Sequence, residues 1–91
     1  MLRTFLDLST EHMKPETAHN LDVTPIAEWS VAGGRTGHGY FIYAHDEDDG
    51  SIPPDLWAVM CFARERGAEY ILFDCDAATV EGLPTFDWEG R

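Results

Sequence analysis

Basic residues and cysteine are what this sequence has least of. Lys14 is the single lysine, and six Lys and Arg stand against seventeen Asp and Glu, a formal net charge of −11 with histidine neutral. A surface of that sign repels phosphate backbones and anionic lipid headgroups, so neither direct nucleic-acid binding nor membrane binding is expected. Two cysteines, Cys61 and Cys75, are too few for a secreted disulfide framework or a zinc quartet, and both are expected to be reduced and partly buried. Long apolar runs are also missing. Nothing reaches membrane-spanning length, and the opening MLRTFLDLST lacks the apolar segment of a secretory signal, which makes the cytoplasm the expected location. The histidines, His12, His19, His38 and His45, show no H-x-x-x-H spacing and no zinc-type spacing to a cysteine, so neither a metal site nor a cofactor is expected. The glycines of residues 33–39 follow neither phosphate-loop pattern and lead into a strand rather than a helix, which leaves no helix N-terminus to receive an anion.

What is present is enough apolar material for one small domain, at 91 residues and 44% hydrophobic. The chain is organised around residues 53–76, PPDLWAVMCFARERGAEYILFDCD. Pro53 and Pro54 suit a first helical turn, Asp55 complements the positive end of the helix dipole, and Gly67 after Arg64 and Arg66 is a C-terminal stop. Leu56, Val59, Met60, Phe62 and Ala63 fall on one face at helical spacing, while Trp57 and Cys61 lie off it, under a neighbouring segment or at an interface. Tyr70 to Phe73 then reads as a central strand, apolar on both faces.

Before this unit, residues 3–8 read as a strand and Pro15 opens a short helix to about Asp22. Residues 26–29 fit either one helical turn or an irregular packed segment. Residues 40–45 alternate as a strand, with Tyr40, Ile42 and Ala44 on one face and Phe41, Tyr43 and His45 on the other. Strand, helix and strand between Tyr40 and Phe73 have the length of a right-handed βαβ crossover. The expected fold is therefore α+β or α/β, a single domain with a small three-stranded, mostly parallel sheet, a βαβ crossover and two or three helices packed on it. Phe86 and Trp88 suggest a tail folded back over apolar surface, with Trp57 as a reasonable neighbour.

Three stretches contain residue types used in catalysis or metal binding. Asp74 and Asp76 close an apolar strand as D-x-D, similar to the first motif of haloacid-dehalogenase-type phosphotransferases, where paired carboxylates hold magnesium and one attacks phosphorus. Ala77 and Ala78 displace the small polar residue expected next, and the stretch after them is too short for the other motifs of that family, so a magnesium-dependent phosphohydrolase is the alternative reading rather than the leading one. Residues 45–56 brush the calcium-loop template but place His45 and Leu56 where its strongest carboxylates belong. Asp7, Ser9 and His12 are the residue types of a hydrolytic triad, and turn and capping roles account for them more simply.

Asp7-Leu8-Ser9-Thr10 with His12, Gly39-Tyr40-Phe41-Ile42-Tyr43, the helix over residues 56–64, and Phe73-Asp74-Cys75-Asp76 with Leu83-Pro84-Thr85-Phe86-Asp87-Trp88 together resemble a family of small proteins of unknown function from proteobacterial plasmids and integrative elements. The resemblance covers most of the chain outside residues 22–37 and brings no catalytic residues. It implies a mobile-DNA setting, where small acidic proteins that imitate DNA inhibit host defence.

In a mostly parallel sheet the carboxyl ends of the strands share one edge. Asp7, then Asp46, Glu47, Asp48 and Asp49, then Asp74 and Asp76, are thus expected to form one acidic rim. The leading expectation is a binding protein that uses this rim and the Trp57 face to occupy the basic surface of a nucleic-acid-binding protein, in anti-CRISPR or anti-restriction form. A homodimer or antitoxin-like assembly through Trp57, Cys61 and the C-terminal aromatics is the other association considered.

Overall fold

The computed structural model describes residues 1–88. Its elements are β1 (Phe5–Ser9), α1 (Pro15–Val23), β2 (Gly33–Arg35), β3 (Gly39–Tyr43), α2 (Pro54–Glu65) and β4 (Tyr70–Asp74), with 3-10 turns at Thr10–His12 and Ile26–Glu28. The expected three-stranded, mostly parallel sheet is not what forms. Four strands pair in the order β1-β4-β3-β2, and of the three pairings only β1 with β4 is parallel.

The error lies in what recrosses the sheet. In a βαβ unit the helix brings the chain back, so the second strand repeats the direction of the first. Here residues 44–53, which form no helix or strand, bring it back, and ten residues at up to about 3.4 Å each are ample to recross a five-residue strand. The twelve residues of α2, about 18 Å long, then retrace that path. β4 therefore starts beside the end of β3 and runs antiparallel to it, with Tyr43 opposite Tyr70 and Gly39 opposite Asp74. The Ala44 N–H donating to the Glu69 carbonyl at 2.9 Å closes the excursion where it began.

Among the described residues helices cover one face of the sheet. Leu8, Tyr40, Ile42, Ile71 and Phe73 point to it and are 0–6% exposed, packed with Ala18 and Leu21 of α1 and with Leu56, Val59, Met60 and Ala63 of α2. Phe62, expected on the same stripe, sits to one side and is half-buried, under Gly82 and beneath the Arg66 guanidinium at 3.4 Å. The helix stop at Gly67 is a Schellman motif: the Ala68 N–H reaches the Ala63 carbonyl, the Gly67 N–H reaches Arg64, and Gly67 takes φ 82°.

Residues 22–37 are held by the β2–β3 pairing and by the Arg35 side chain. Arg35 donates to the carbonyls of Leu21, Asp22 and Thr24 and lies 5.4 Å from the Trp29 ring, supplying the cation that the last turn of α1 lacks. The tail folds back as expected, and its hydrogen bonds run to the segment after β1. Phe86 N–H donates to Glu11, Trp88 Nε1 to Met13, and His12 bonds both Pro84 and Val80.

Candidate functional site

With β3 reversed, the expected acidic rim divides. Asp74 and Asp76 lie at the end of the sheet where β4 stops, whereas Asp46 lies just after the far end of β3, near Glu69 and the C-terminus of α2, and Glu47, Asp48 and Asp49 follow it in the connection to α2. Asp7 sits within β1 opposite Leu72, and alternation puts it on the helix-free face together with Asp74 two residues further along β4. Trp57 is half-buried and packs against the core rather than standing free. Within the distal turn Asp48 and Asp49 accept backbone N–H groups from Gly50 and Ser51. The Ser51 hydroxyl, and after it the Ser51 N–H, hold the Asp49 carboxyl below the usual carboxylate range.

Between these acidic ends lies a surface made of aromatic rings. Phe5 meets Phe41 edge-on at 5.8 Å, Phe41 stacks on Tyr70 at 5.1 Å, Tyr70 meets Tyr43 at 5.5 Å and Tyr43 meets His45 at 5.2 Å. These rings occupy the alternate strand positions, pointing away from both helices, and Leu72 joins them. Phe5 is 53% exposed, and Phe41, Tyr43, Tyr70 and Leu72 on this face are only half-buried. None belongs to the core. An apolar run on both faces of β4 was expected to mean cover on both. Among the described residues one face is covered by helices, and the other bears rings that touch one another.

The catalytic readings divide in the same way. Ser9 caps the Thr10–His12 turn, its Oγ accepting the Glu11 N–H at 3.1 Å. His12 is 1% exposed, its Nδ1 is 2.9 Å from the Pro84 carbonyl and its Nε2 accepts the Val80 N–H at 3.0 Å, while Asp7 is on the opposite face. Ser9 and His12 thus perform structural tasks, and Asp7 faces away from both. Asp74 turns its Oδ1 back onto the Asp76 N–H at 2.8 Å.

The same end of the sheet holds a cleft of about 450 Å³ lined among others by Asp22, Arg35, His38, Tyr40, Cys75 and Trp88. Tyr40 bonds Asp22 at 2.7 Å through its hydroxyl. At the mouth, ligand-type atoms of His38, Cys75 and Asp76 come within 4.8 Å of one another, and all three residues are exposed. The partial burial expected of Cys75 is thus not found. Linear spacing gives no hint of this group, because His38 precedes β3 and Cys75 comes after β4. Only the Gly39–Asp74 pairing of an antiparallel register sets them side by side. Gly39 is part of the reason, since a Cβ there would stand 1.8 Å from the Phe73 carbonyl oxygen.

No curated protein and no solved structure matches the chain. A family model does, the one described as "Family of unknown function (DUF5983) C-terminal domain", over residues 5–88. That span takes in every strand and both helices, so the chain belongs to the DUF5983 family.

Proposed function

We propose that this protein is an acidic protein-binding module that docks a basic partner on the helix-free aromatic face of its sheet. The observation that carries the reading is the continuous set of rings Phe5, Phe41, Tyr70 and Tyr43 outside the core, on a face that also bears Asp7 and Asp74. Rigid aromatic side chains give contact area at low entropic cost, and ring faces flanked by carboxylates suit Arg and Lys side chains through cation–π and charge-assisted contacts. Exposed rings on a sheet also stack nucleic-acid bases in other folds, but that use needs a basic surround. Here the net charge is −11. The same charge opposes pairing of this face with a second copy.

The partner we favour is a nucleic-acid-handling protein, whose phosphate-binding channel is a basic surface of the required kind. In the mobile-element setting that the family resemblance implies, this becomes inhibition of a restriction or CRISPR effector. Asp46, Glu47, Asp48 and Asp49 extend the negative potential beyond the far end of the face and steer the encounter. The test is binding of a fluorescent arginine-rich peptide, then capture from host lysate with identification of the retained proteins. The expected result is peptide affinity that falls steeply with salt, is lost in Phe41→Ser/Tyr70→Ser, is weakened by Asp7→Lys/Asp74→Lys, and is matched by salt-sensitive retention of a basic nucleic-acid-handling protein. Equal binding by the wild type and the face variants would overturn the assignment of the face. Binding of a single-stranded oligonucleotide in preference to the peptide would overturn the assignment of the partner.

A further inference from the structure

We propose that His38, Cys75 and Asp76 form a site for a divalent transition-metal ion, with zinc the best match to the ligand set. Their candidate ligand atoms, from an imidazole, a thiol and a carboxylate, lie within 4.8 Å of one another. Ligands about 2.0–2.3 Å from a tetrahedral ion stand roughly 3.3–3.8 Å apart. Side-chain rotation alone covers the remaining difference, since all three side chains are exposed and have room to turn.

The backbone beneath them is fixed independently of any ion. The Cys75 N–H donates to the His38 carbonyl at 2.9 Å, extending the β3–β4 ladder by one rung, and Gly39 pairs with Asp74 directly beneath it. On one side the His38 N–H is held by the Thr36 hydroxyl at 3.2 Å, and the Thr36 N–H by the Gly39 carbonyl. On the other side the Asp74 carboxylate accepts the Asp76 N–H, and the Ala77 N–H donates to the Asp74 carbonyl, forming a tight turn. Two independent turns, joined by the last rung of a sheet, therefore present three different donors toward one point. That arrangement lowers the ordering cost of binding.

The donor set selects the metal. Magnesium and calcium require oxygen ligands, and only one of the three side chains supplies oxygen. Imidazole with thiolate suits zinc and its first-row neighbours. Three protein ligands leave one position open, as in catalytic rather than structural zinc sites. His38 and Cys75 line the cleft that Arg35 and Tyr40 also line, so water or a small anionic ligand has access to that position. Binding releases the thiol proton, because the thiolate is the form that ligates.

The test is titration of the reduced protein with cobalt(II) alone, then displacement with zinc. The expected result is one cobalt per chain, with a thiolate-to-cobalt charge-transfer band and ligand-field bands of four-coordinate strength, both abolished by zinc. Cys75→Ser should remove the charge-transfer band, His38→Ala and Asp76→Asn should each weaken cobalt binding at least about tenfold, and Cys61→Ser should change nothing. Far-ultraviolet circular dichroism confirms that the surface variants remain folded. Absence of the band at stoichiometric cobalt, its survival in Cys75→Ser or its loss in Cys61→Ser would each overturn the site.

Discussion

His12 uses both ring nitrogens inside the protein, donating from Nδ1 to the Pro84 carbonyl and accepting at Nε2 from the Val80 N–H. The geometry requires the Nδ1–H tautomer, because a proton on Nε2 would set donor against donor. His12→Leu keeps the volume and removes both bonds, leaving a carbonyl and an N–H of the tail without partners. We expect a loss of about 2–3 kcal/mol in urea unfolding, with earlier proteolysis in the tail than elsewhere. Asp49 makes a prediction of a different kind. The Ser51 hydroxyl and N–H stabilise its ionised form in the fold, so the associated stability is present above the unfolded-state pKa and is lost as pH falls through the lower folded value. In a carbon-detected titration Asp49 should titrate below the usual carboxylate range, and Ser51→Ala should move it upward toward that range.

The two helices are joined by a carboxylate. Asp55, in the first turn of α2 and 8% exposed, accepts the Lys14 N–H at 2.8 Å and the Thr17 hydroxyl at 3.0 Å, so it holds the start of α1 as well as its own. Asp55→Ala should cost about 2–3 kcal/mol by denaturant unfolding, and Asp55→Asn, which keeps one acceptor, distinctly less. Helix α2 was legible from sequence because proline, aspartate, an apolar stripe and glycine agree at one address. β2 was not, since Gly33 and Gly34 carry no strand propensity and the pairing with β3 is made by backbone alone. The direction of β4 was hidden for another reason. Apolar periodicity reports which faces are buried, and residues 44–53 can recross a sheet without any periodic pattern to reveal it.

At the scale of the molecule, charge is the property that sequence reports fully and structure only distributes. Among the described residues five Lys and Arg stand against the carboxylates, and four of them are engaged within the fold. Arg3 pairs with Glu69, Arg35 is occupied by α1 carbonyls and Trp29, Arg66 lies over Phe62, and Lys14 lies 5.8 Å from the Phe86 ring. Self-repulsion of the remaining carboxylates should make the fold salt-stabilised. Raising sodium chloride from low ionic strength to about 0.15 M, where the screening length is about 8 Å, should raise Tm, whereas a protein held by ion pairs would lose stability. Among the described residues no helix is long and apolar enough to cross a membrane. The negative sign of the surface was readable at once from composition. Which face carries it, and the meeting of His38 with Cys75, depended on a strand register that no local motif encodes.

That register also sets an order of events. Arg3 reaches Glu69 across 66 residues, His12 reaches Pro84 across 72 and Trp88 reaches Met13 across 75. Among the described strands the central one that β1 needs is thus the last made, and closing so long a span must precede any gain from it. During synthesis Phe5, Leu6 and Leu8 leave the ribosome well before β4, the strand with which they pair. The sheet therefore closes late rather than growing as the chain is made, and until then its first strand is an open edge for any chaperone or neighbouring nascent chain.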